Sequence, residues 1–144
     1  SQDPLFYSSF IKNKNVYFVE NCTYDLLSVS HAAIVTSGTA TLETALFKVP
    51  EVVCYKTSWI SYEIGKRLVN LKYISLVNLI LDKKVVTELI QGAFNTKRLT
   101  KELNIILDAQ KREEQFIDYH ELETKLGGQG ASQKVAELIY NSIN

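Results

Sequence analysis

The sequence predicts an α/β domain built around parallel strands. Short apolar runs rich in β-branched residues alternate with helix-forming segments, and the connections between them are only a few residues long. Strands and helices that alternate in this way favour parallel strands joined by right-handed crossovers. With 144 residues, 46% of them hydrophobic, the chain has the size and composition of one soluble domain with its own core.

The first half of the chain gives the order strand, helix, strand, helix, strand, helix. The predicted strands are Val16–Val19, Ala33–Val35 and Val52–Tyr55. The predicted helices run from a cap at Asn21 or Thr23 to near His31, over 40–47 and over 58–71. Pro50 closes the second of these units, because proline does not continue a helix.

The second half has a less regular pattern. Polar side chains interrupt the apolar stretch Tyr73–Leu81, which therefore predicts a loop or a short strand. Val85–Gln91 predicts a short helix. Thr96–Leu107 has apolar residues at helical spacing and predicts an amphipathic helix capped by Asn95 or Thr96.

The C-terminal part of the sequence contains a predicted boundary between a domain and a last helix. The charged run Lys111–Glu114 is typical of a solvated helix face. A glycine-rich break at Gly127–Gly130 precedes a last amphipathic helix from Ser132. We therefore predict a domain over residues 1–126, followed by a hinge and a C-terminal helix over residues 127–144.

The turn between the second predicted strand and its helix carries the strongest functional signal. The strand ends in Thr36-Ser37-Gly38-Thr39, a run of small and mostly hydroxylated residues, and a helix opens at Ala40. Such a turn directs unpaired backbone N–H groups and the positive end of a helix at one point, which favours a phosphate. Glu43 lies about one turn into the helix, where its carboxylate can accept hydrogen bonds from two ribose hydroxyls. The pattern predicts a nucleotide site.

A purely structural interpretation of the same turn stays open. Many helices of α/β proteins begin with Ser, Thr and Gly, in which case Thr39 is only an N-cap and Glu43 only a solvated side chain. A capping box does not explain Glu43, because the box requires Glu or Gln three residues after the cap. That position is Leu42.

Charge and residue types exclude several functions. The chain has 16 Lys and Arg against 16 Asp and Glu, and a net charge of zero argues against a nucleic-acid partner. No apolar run approaches the roughly 20 residues of a membrane span. His31 and His120 belong to no catalytic or metal-binding pattern, so we predict no catalytic residue, no metal and no cofactor in this segment.

Two further observations concern the origin of the chain. Cys22 and Cys54 fit no disulfide or zinc spacing, and Cys54 lies in an apolar run, which predicts a buried free thiol in a reducing compartment. The chain contains no Met, even at position 1, and begins abruptly. We therefore expect a fragment of a longer protein.

An aromatic and basic edge follows the third predicted strand. Its members are Trp59, Tyr62, Lys66 and Arg67. Aromatic rings beside cations suit a membrane surface with anionic headgroups, and we predict lipid or membrane contact here. The alternative is that the rings belong to the core and the cations are solvated.

With these residues in hand, the chain resembles the C-terminal half of the bacterial lipid-A-disaccharide synthases. The resemblance runs in colinear order over nearly the whole chain. The matching segments are Ser37–Glu43, Val49–Pro50, Val52–Tyr55, Lys66–Val69, Lys72–Leu79, Val85–Leu89 and Gly130–Ser132. The first of these is shared with related sugar-nucleotide enzymes, and its combination with Tyr73–Leu79 is more specific.

The resemblance implies the donor-binding half of a glycosyltransferase of the GT-B type, with a Rossmann-like parallel sheet flanked by helices. The implied donor is UDP-2,3-diacylglucosamine and the implied acceptor is 2,3-diacylglucosamine 1-phosphate. The acceptor 6-hydroxyl attacks with inversion, a β-1,6 disaccharide forms and UDP leaves, with no required metal. Ser37, Gly38, Thr39, Ala40 and Thr41 would contact the diphosphate, Glu43 the ribose and Asn78 the same donor site.

The resemblance also implies partners. A missing N-terminal domain would supply the catalytic base, the protein would be cytoplasmic and peripheral to the inner membrane, and a homodimer is possible. Glu88 and Gln91 match a family segment without revealing whether they serve the site or the structure. Two alternatives stay open: another UDP-sugar enzyme of this architecture, such as the peptidoglycan N-acetylglucosaminyltransferase or a 2-epimerase, and a non-catalytic nucleotide-binding module.

Overall fold

A parallel sheet organises the part of the chain that the computed structural model describes, which is residues 3–58, 62, 72–127 and 130–143. Its strands are β1 (Ala33–Thr36), β2 (Glu51–Tyr55) and β3 (Thr87–Ile90), in the order β1-β2-β3. In the two ladders Val35 lies opposite Val53, and Val53 lies opposite Glu88. The predicted α/β class with parallel strands is confirmed.

Helices cover both faces of this sheet. The described helices are α1 (Pro4–Ser8), α2 (Thr23–Val29), α3 (Ala40–Leu46), α4 (Leu76–Leu81), α5 (Thr96–Ile106), α6 (Ala109–Leu126) and α7 (Ala131–Ile143), of which α3, α4, α5 and α6 pack against the sheet through the core clusters. One core cluster joins β2 to α3, α4 and α6 and contains Ala45, Val53, Val77, Leu81, Val86, Tyr119 and Leu122. The other joins β2 and β3 to α5 and contains Val52, Cys54, Leu89 and Ile106.

The central strand β2 is buried on both faces. Val52 and Val53 are each 0% exposed although their side chains point to opposite faces of the sheet. A strand between two helical layers reads as a continuous apolar run, which explains why the sequence identified it. Cys54 is buried and unpaired as predicted, and burial raises the pKa of its thiol.

The chain before β1 differs from the prediction. Val16–Val19 forms no strand, and Tyr17 within it is 80% exposed. Its β-branched and aromatic residues favour a strand only when a partner strand lies beside them, and the described residues supply none. The caps predicted for α2 are also wrong: Cys22 is the N-cap residue and makes no capping hydrogen bond, while Asn21 has a left-handed φ of 56°.

The segment predicted as a loop or short strand is largely the helix α4. Ser75 begins it, because the Ser75 side chain accepts a hydrogen bond from the Asn78 N–H group at 3.2 Å. The two polar residues that interrupt the apolar run are therefore a cap and a buried side chain of the helix. Asp82, with a left-handed φ of 49°, ends α4.

The short helix predicted over Val85–Gln91 is also wrong, because this segment contains β3. Val86 and Leu89 stand three residues apart and both are fully buried, so their spacing imitates a helical face. The segment forms a strand because it pairs with the open edge of β2, where Cys54 lies opposite Leu89 in a parallel ladder. A four-residue strand carries too short a pattern to be distinguished from a helix by periodicity.

The C-terminal helices agree with the prediction. Asn95 caps α5 by accepting a hydrogen bond from the Arg98 N–H group at 3.1 Å. Within the run Lys111–Glu114, Arg112 is half-buried and donates to the His31 carbonyl, whereas the other three residues are exposed and Lys111 forms an ion pair of 2.6 Å with Glu114. The last helix, α7, starts within a residue of the predicted position.

Two lysines fasten α6 to the rest of the domain. The Nζ atom of Lys83 lies 2.7 Å from both Asp118 and Glu121. The Nζ atom of Lys48 lies 2.7 Å from Glu123, directly after α3. Both contacts are partly exposed, so they orient α6 more than they stabilise it.

A buried carboxyl group lies at the start of β2. Glu51 is 0% exposed, and among the described residues neither of its carboxylate oxygens has a hydrogen-bond partner. Burial raises the pKa of Glu51 to about 9, so the group is neutral at pH 7.

Candidate functional site

The predicted turn lies at the carboxyl edge of the sheet, between β1 and α3. Ser37 continues from β1, and its N–H group donates to the Cys54 carbonyl of β2 at 3.0 Å. Gly38 follows with φ of +151°, a conformation that side chains of L-residues rarely adopt. In parallel α/β sheets this edge is where ligands bind.

The turn leaves backbone donors unused. The N–H group of Thr41 donates to the Gly38 carbonyl at 3.2 Å, and that of Leu42 to the Thr39 carbonyl at 2.9 Å. Among the described residues, none accepts a hydrogen bond from the N–H groups of Gly38, Thr39 or Ala40. Three exposed donors in succession suit an anion such as a phosphate.

The simple capping explanation of Thr39 does not hold. Thr39 has helical backbone angles, φ −61° and ψ −27°, and its side chain makes no capping hydrogen bond. An N-cap residue normally has extended angles and accepts from the helix. Capping by its own side chain therefore does not account for Thr39.

The residues of the turn differ in how far they reach solvent. Gly38, Thr39 and Ala40 are exposed and Ser37 is half-buried. Thr41 is fully buried and its hydroxyl donates to the Gly38 carbonyl at 2.8 Å. Thr41 thus shapes the turn from inside.

Glu43 faces a cleft of about 520 Å³. No described residue donates a hydrogen bond to its carboxylate. The opposite wall is the amino-terminal end of α2 with the residues before it: Asn21, Cys22, Thr23, Tyr24 and Asp25. A carboxylate in this position can accept hydrogen bonds from the hydroxyl groups of a sugar bound in the cleft.

The sequence reasoning missed the opposite wall. The sequence predicts Asn21 and Thr23 only as capping residues, whereas in the structure they line the cleft with Glu43. The ring of Tyr24 stacks on Phe47, with centroids 5.5 Å apart, and this contact joins α2 to the end of α3. The polar run directly before α2 was the available signal.

Asn78 lies behind this surface and not on it. Its side chain is 0% exposed. The Oδ1 atom accepts from the N–H groups of Val85 and Val86 at 2.8 and 2.9 Å, and Nδ2 donates to the Val86 carbonyl and to Glu88, both at 2.9 Å. All of its hydrogen-bonding capacity is used inside the protein.

Glu88 and Gln91 both bridge loops at the same edge. The Glu88 carboxylate accepts from the backbone of Ile74 and Ser75 as well as from Asn78. The Gln91 side chain binds the backbone of Thr57 through two hydrogen bonds. Each side chain therefore holds neighbouring chain segments together at this edge.

The structure covers little of the aromatic and basic edge. Trp59, Lys66 and Arg67 lie outside the described residues. Tyr62 is half-buried, and its N–H group donates to the Ser58 carbonyl at 3.0 Å in a helical turn.

The described residues also bear on membranes and metals. Within 3–58, 62, 72–127 and 130–143, no helix combines the length and apolar character needed to cross a membrane. Over the same residues, no group of three or more His, Cys, Asp and Glu side chains is arranged to hold a metal ion.

Known proteins are similar to this chain in sequence. A family model described as lipid-A-disaccharide synthetase matches residues 6–142. The lipid-A-disaccharide synthase of Syntrophus aciditrophicus (strain SB) is 43% identical over 131 residues, which cover 89% of this chain and 34% of the relative. That of Anaeromyxobacter sp. (strain K) is 38% identical over 125 residues, covering 86% and 33%. That of Hahella chejuensis (strain KCTC 2396) is 39% identical over 127 residues, covering 86% and 32%.

The fold and the sequence matches lead to the same conclusion. A parallel sheet between helical layers, with a turn at its carboxyl edge whose N–H groups have no acceptor among the described residues, defines a Rossmann-like α/β domain. The chain belongs to the lipid-A-disaccharide synthase family. It spans about a third of the length of the curated relatives it matches.

Proposed function

We propose that this chain is the donor-binding part of a glycosyltransferase that makes the lipid A disaccharide. The donor is UDP-2,3-diacylglucosamine, the acceptor is 2,3-diacylglucosamine 1-phosphate, and the products are the β-1,6-linked disaccharide and UDP. Family membership supports the reaction class. The observation that carries the binding role is the position of the free N–H groups of residues 38–40 next to the Glu43 cleft.

The diphosphate of UDP would bind to the turn. The N–H groups of Gly38, Thr39 and Ala40 donate to its oxygens, and the hydroxyl of Thr39 is exposed beside them. Ser37 and Thr41 hold the turn through their own hydrogen bonds. As the glycosidic bond breaks, negative charge grows on the leaving diphosphate, and fixed backbone donors stabilise that charge without reorganising.

The nucleoside would bind in the cleft. The Glu43 carboxylate accepts the two ribose hydroxyls, and the uracil lies toward the wall formed by residues 21–25. Asn78 contributes indirectly, because its amide fixes the segment that precedes β3. The site then holds phosphate, sugar and base along one line from the turn to α2.

The catalytic base lies outside this chain in this proposal. Attack by the acceptor 6-hydroxyl needs a base within hydrogen-bond reach of that hydroxyl. His31 and His120 are both exposed and belong to no acid–base arrangement. We expect the remaining part of the protein to supply the base and the acceptor site, and this chain alone to bind UDP without transferring sugar.

The location and assembly follow from the substrates. Both are acylated sugars, which supports peripheral contact with the inner membrane, and we propose that the full protein works on the cytoplasmic side as a homodimer. The edge formed by Trp59, Tyr62, Lys66 and Arg67 is our proposed membrane contact.

Calorimetric titration with UDP, UMP and ADP tests the proposal. We expect UDP to bind more tightly than UMP, because the second phosphate adds contacts to the turn, and more tightly than ADP. Gly38→Ala introduces a side chain at φ +151° and should weaken UDP binding. Gly92→Ala is the matched control, since a Cβ there meets nothing within 4 Å and no left-handed φ is involved. Equal binding of UDP by both variants and the parent contradicts the proposed turn.

A further inference from the structure

Glu88 occupies an unusual position in the fold. It lies on β3 opposite Val53, and its half-buried carboxylate points to the loop before α4. Its Oε2 atom accepts from the Ile74 N–H group at 3.0 Å, and its Oε1 atom accepts from the Ser75 N–H group and from Asn78 Nδ2, both at 2.9 Å. All of these donors are uncharged.

Ile74, one of these donors, also contacts the proposed nucleotide turn. The Ser37 hydroxyl donates to the Ile74 carbonyl at 3.2 Å. Ile74 is therefore held by Glu88 at its N–H group and by Ser37 at its carbonyl oxygen. This gives a continuous chain of hydrogen bonds from β3 to the residue that begins the turn.

We infer that Glu88 is a positioning residue for the donor diphosphate, acting through Ile74 on Ser37. The turn is anchored on one side by the Ser37 N–H group, which donates to the Cys54 carbonyl at 3.0 Å. Its second anchor is the Ser37 hydroxyl, and that anchor is only as fixed as the Ile74 carbonyl. Glu88 sets the position of this carbonyl, and hence the direction of the free N–H groups that follow.

The chemistry of the contact requires a carboxylate. Three N–H donors converge on Glu88, and a carboxylate offers only acceptors. An amide of the same shape turns one of its two ends into a donor, which then faces a donor of Ile74, Ser75 or Asn78. Bonds to an ionised acceptor are also stronger than neutral ones. Glu88→Gln therefore disrupts the contact while changing almost no volume.

This inference rests on the proposed nucleotide site, so its test has a part that needs no nucleotide. We expect the Ser37 amide in Glu88→Gln to exchange with deuterium at least about tenfold faster than in the parent, as lost charge-assisted bonds of this kind imply. Thr87→Val is the matched control: it lies on the same strand and loses one side-chain bond, to Glu102 at 3.2 Å on the side away from the turn. An unchanged Ser37 exchange rate in Glu88→Gln overturns the inference whether or not UDP binds.

The second part is a double-mutant cycle on UDP affinity. Glu88→Gln should weaken UDP binding about tenfold, Ser37→Ala should weaken it severalfold, and the double variant should lose less than the product of the two. Thr87→Val should lower the melting temperature without changing the UDP dissociation constant. If the two substitutions weaken UDP binding independently, so that the double variant loses the product of the two single losses, Glu88 only stabilises the fold. The same conclusion follows if Thr87→Val weakens UDP binding as much as Glu88→Gln does. Absence of UDP binding by the parent contradicts the proposed function and leaves the exchange test to decide on Glu88.

Discussion

The side chain of Gln91 pairs with the backbone of Thr57 in both directions. The Thr57 N–H group donates to Gln91 Oε1 at 3.2 Å, and Gln91 Nε2 donates to the Thr57 carbonyl at 3.1 Å. Thr57 lies two residues beyond β2, where no strand backbone is left to pair with it. The amide thus extends the sheet by one step and fixes where the chain leaves β2.

Gln91→Ala is expected to lower the free energy of unfolding by about 1–3 kcal/mol, because it removes two hydrogen bonds and leaves half-buried backbone groups unpaired. Urea denaturation measures this change. Gln110→Ala, at an exposed position of α6, is the control and should change stability by less than about 0.5 kcal/mol. Equal effects of the two variants would show that the Thr57 contact is unimportant.

Glu43→Ala is expected to weaken UDP binding by about 1.5–3 kcal/mol, the usual range for hydrogen bonds to a charged group. Folding should be unaffected, since no described residue bonds to this carboxylate. Calorimetry gives the affinity and thermal unfolding gives the stability. Glu113→Ala, on an exposed part of α6, serves as the control. If Glu43→Ala binds UDP as the parent does, the ribose assignment is wrong.

Stability should fall as pH rises, because of Glu51. Its pKa is about 9 in the folded protein and near 4.5 in the unfolded chain. Between these values the folded state holds a proton that the unfolded state has lost, so each unit of pH costs up to about 1.4 kcal/mol. The contribution is fully present below the lower pKa and is lost as pH approaches the upper one.

Glu51→Gln removes this titration. The difference in unfolding free energy between Glu51→Gln and the parent should therefore grow in favour of the variant from pH 5 to pH 8, as followed by urea denaturation. Glu113→Gln, whose side chain is exposed, should show the same pH dependence as the parent. Parallel curves for Glu51→Gln and the parent would mean that Glu51 is ionised inside the protein.

Replacing Lys66 and Arg67 by Ala should reduce binding to vesicles that contain anionic lipid, by about 1 kcal/mol for each basic residue near the surface. This prediction rests on sequence, because both residues lie outside the described part of the chain. Co-sedimentation measures the bound fraction. Lys97→Ala with Lys101→Ala, two exposed lysines of α5, is the control pair. An unchanged bound fraction would mean that Lys66 and Arg67 are solvated side chains without a role in membrane contact.

Hydrogen exchange should be fast in α7 and slow in β2. The apolar residues of α7 are largely exposed, as in Leu138 at 69% and Ile143 at 76%, whereas Val52 and Val53 are completely buried. Helices of this length gain most of their stability from packing, so α7 should open readily in this chain. Protection in α7 comparable to that in β2 would show that the helix is held by contacts of its own.

The sequence predicts those parts of the fold whose signals are local. The unit from Ala33 to Tyr55 combines two apolar strands, a small-residue turn and a helix, and each of these is recognisable within about ten residues. Asn95 and α5 are predicted for the same reason. The turn with Glu43 belongs to this unit, which is why this part of the candidate site could be located without a structure.

The remaining parts depend on contacts between distant segments. Leu89 belongs to a strand only because the edge of β2 is free to pair with it. Val16–Val19 has strand-forming residues but no partner strand in the described part of the chain, so it stays irregular. The wall of the cleft at Asn21–Asp25 depends on how α2 lies against α3, and the burial of Asn78 depends on Glu88. No pattern within a single segment carries this information.

The two faces of the sheet differ in how closely their packing is connected with the candidate site. The elements that shape the turn, α3 and α4, share one core cluster with α6, whereas α5 is the one described helix in the cluster on the opposite face, which contains Leu89 and Ile106. Repacking beneath α3 is thus expected to alter stability and ligand geometry together. Repacking Leu89 and Ile106 beneath α5, with Cys54 unchanged, is expected to alter stability alone. Substitutions intended to stabilise this domain without changing its ligand preference should therefore be made first in the core beneath α5. The residues beneath α5 are also expected to change in evolution at a rate different from that of the residues beneath α3.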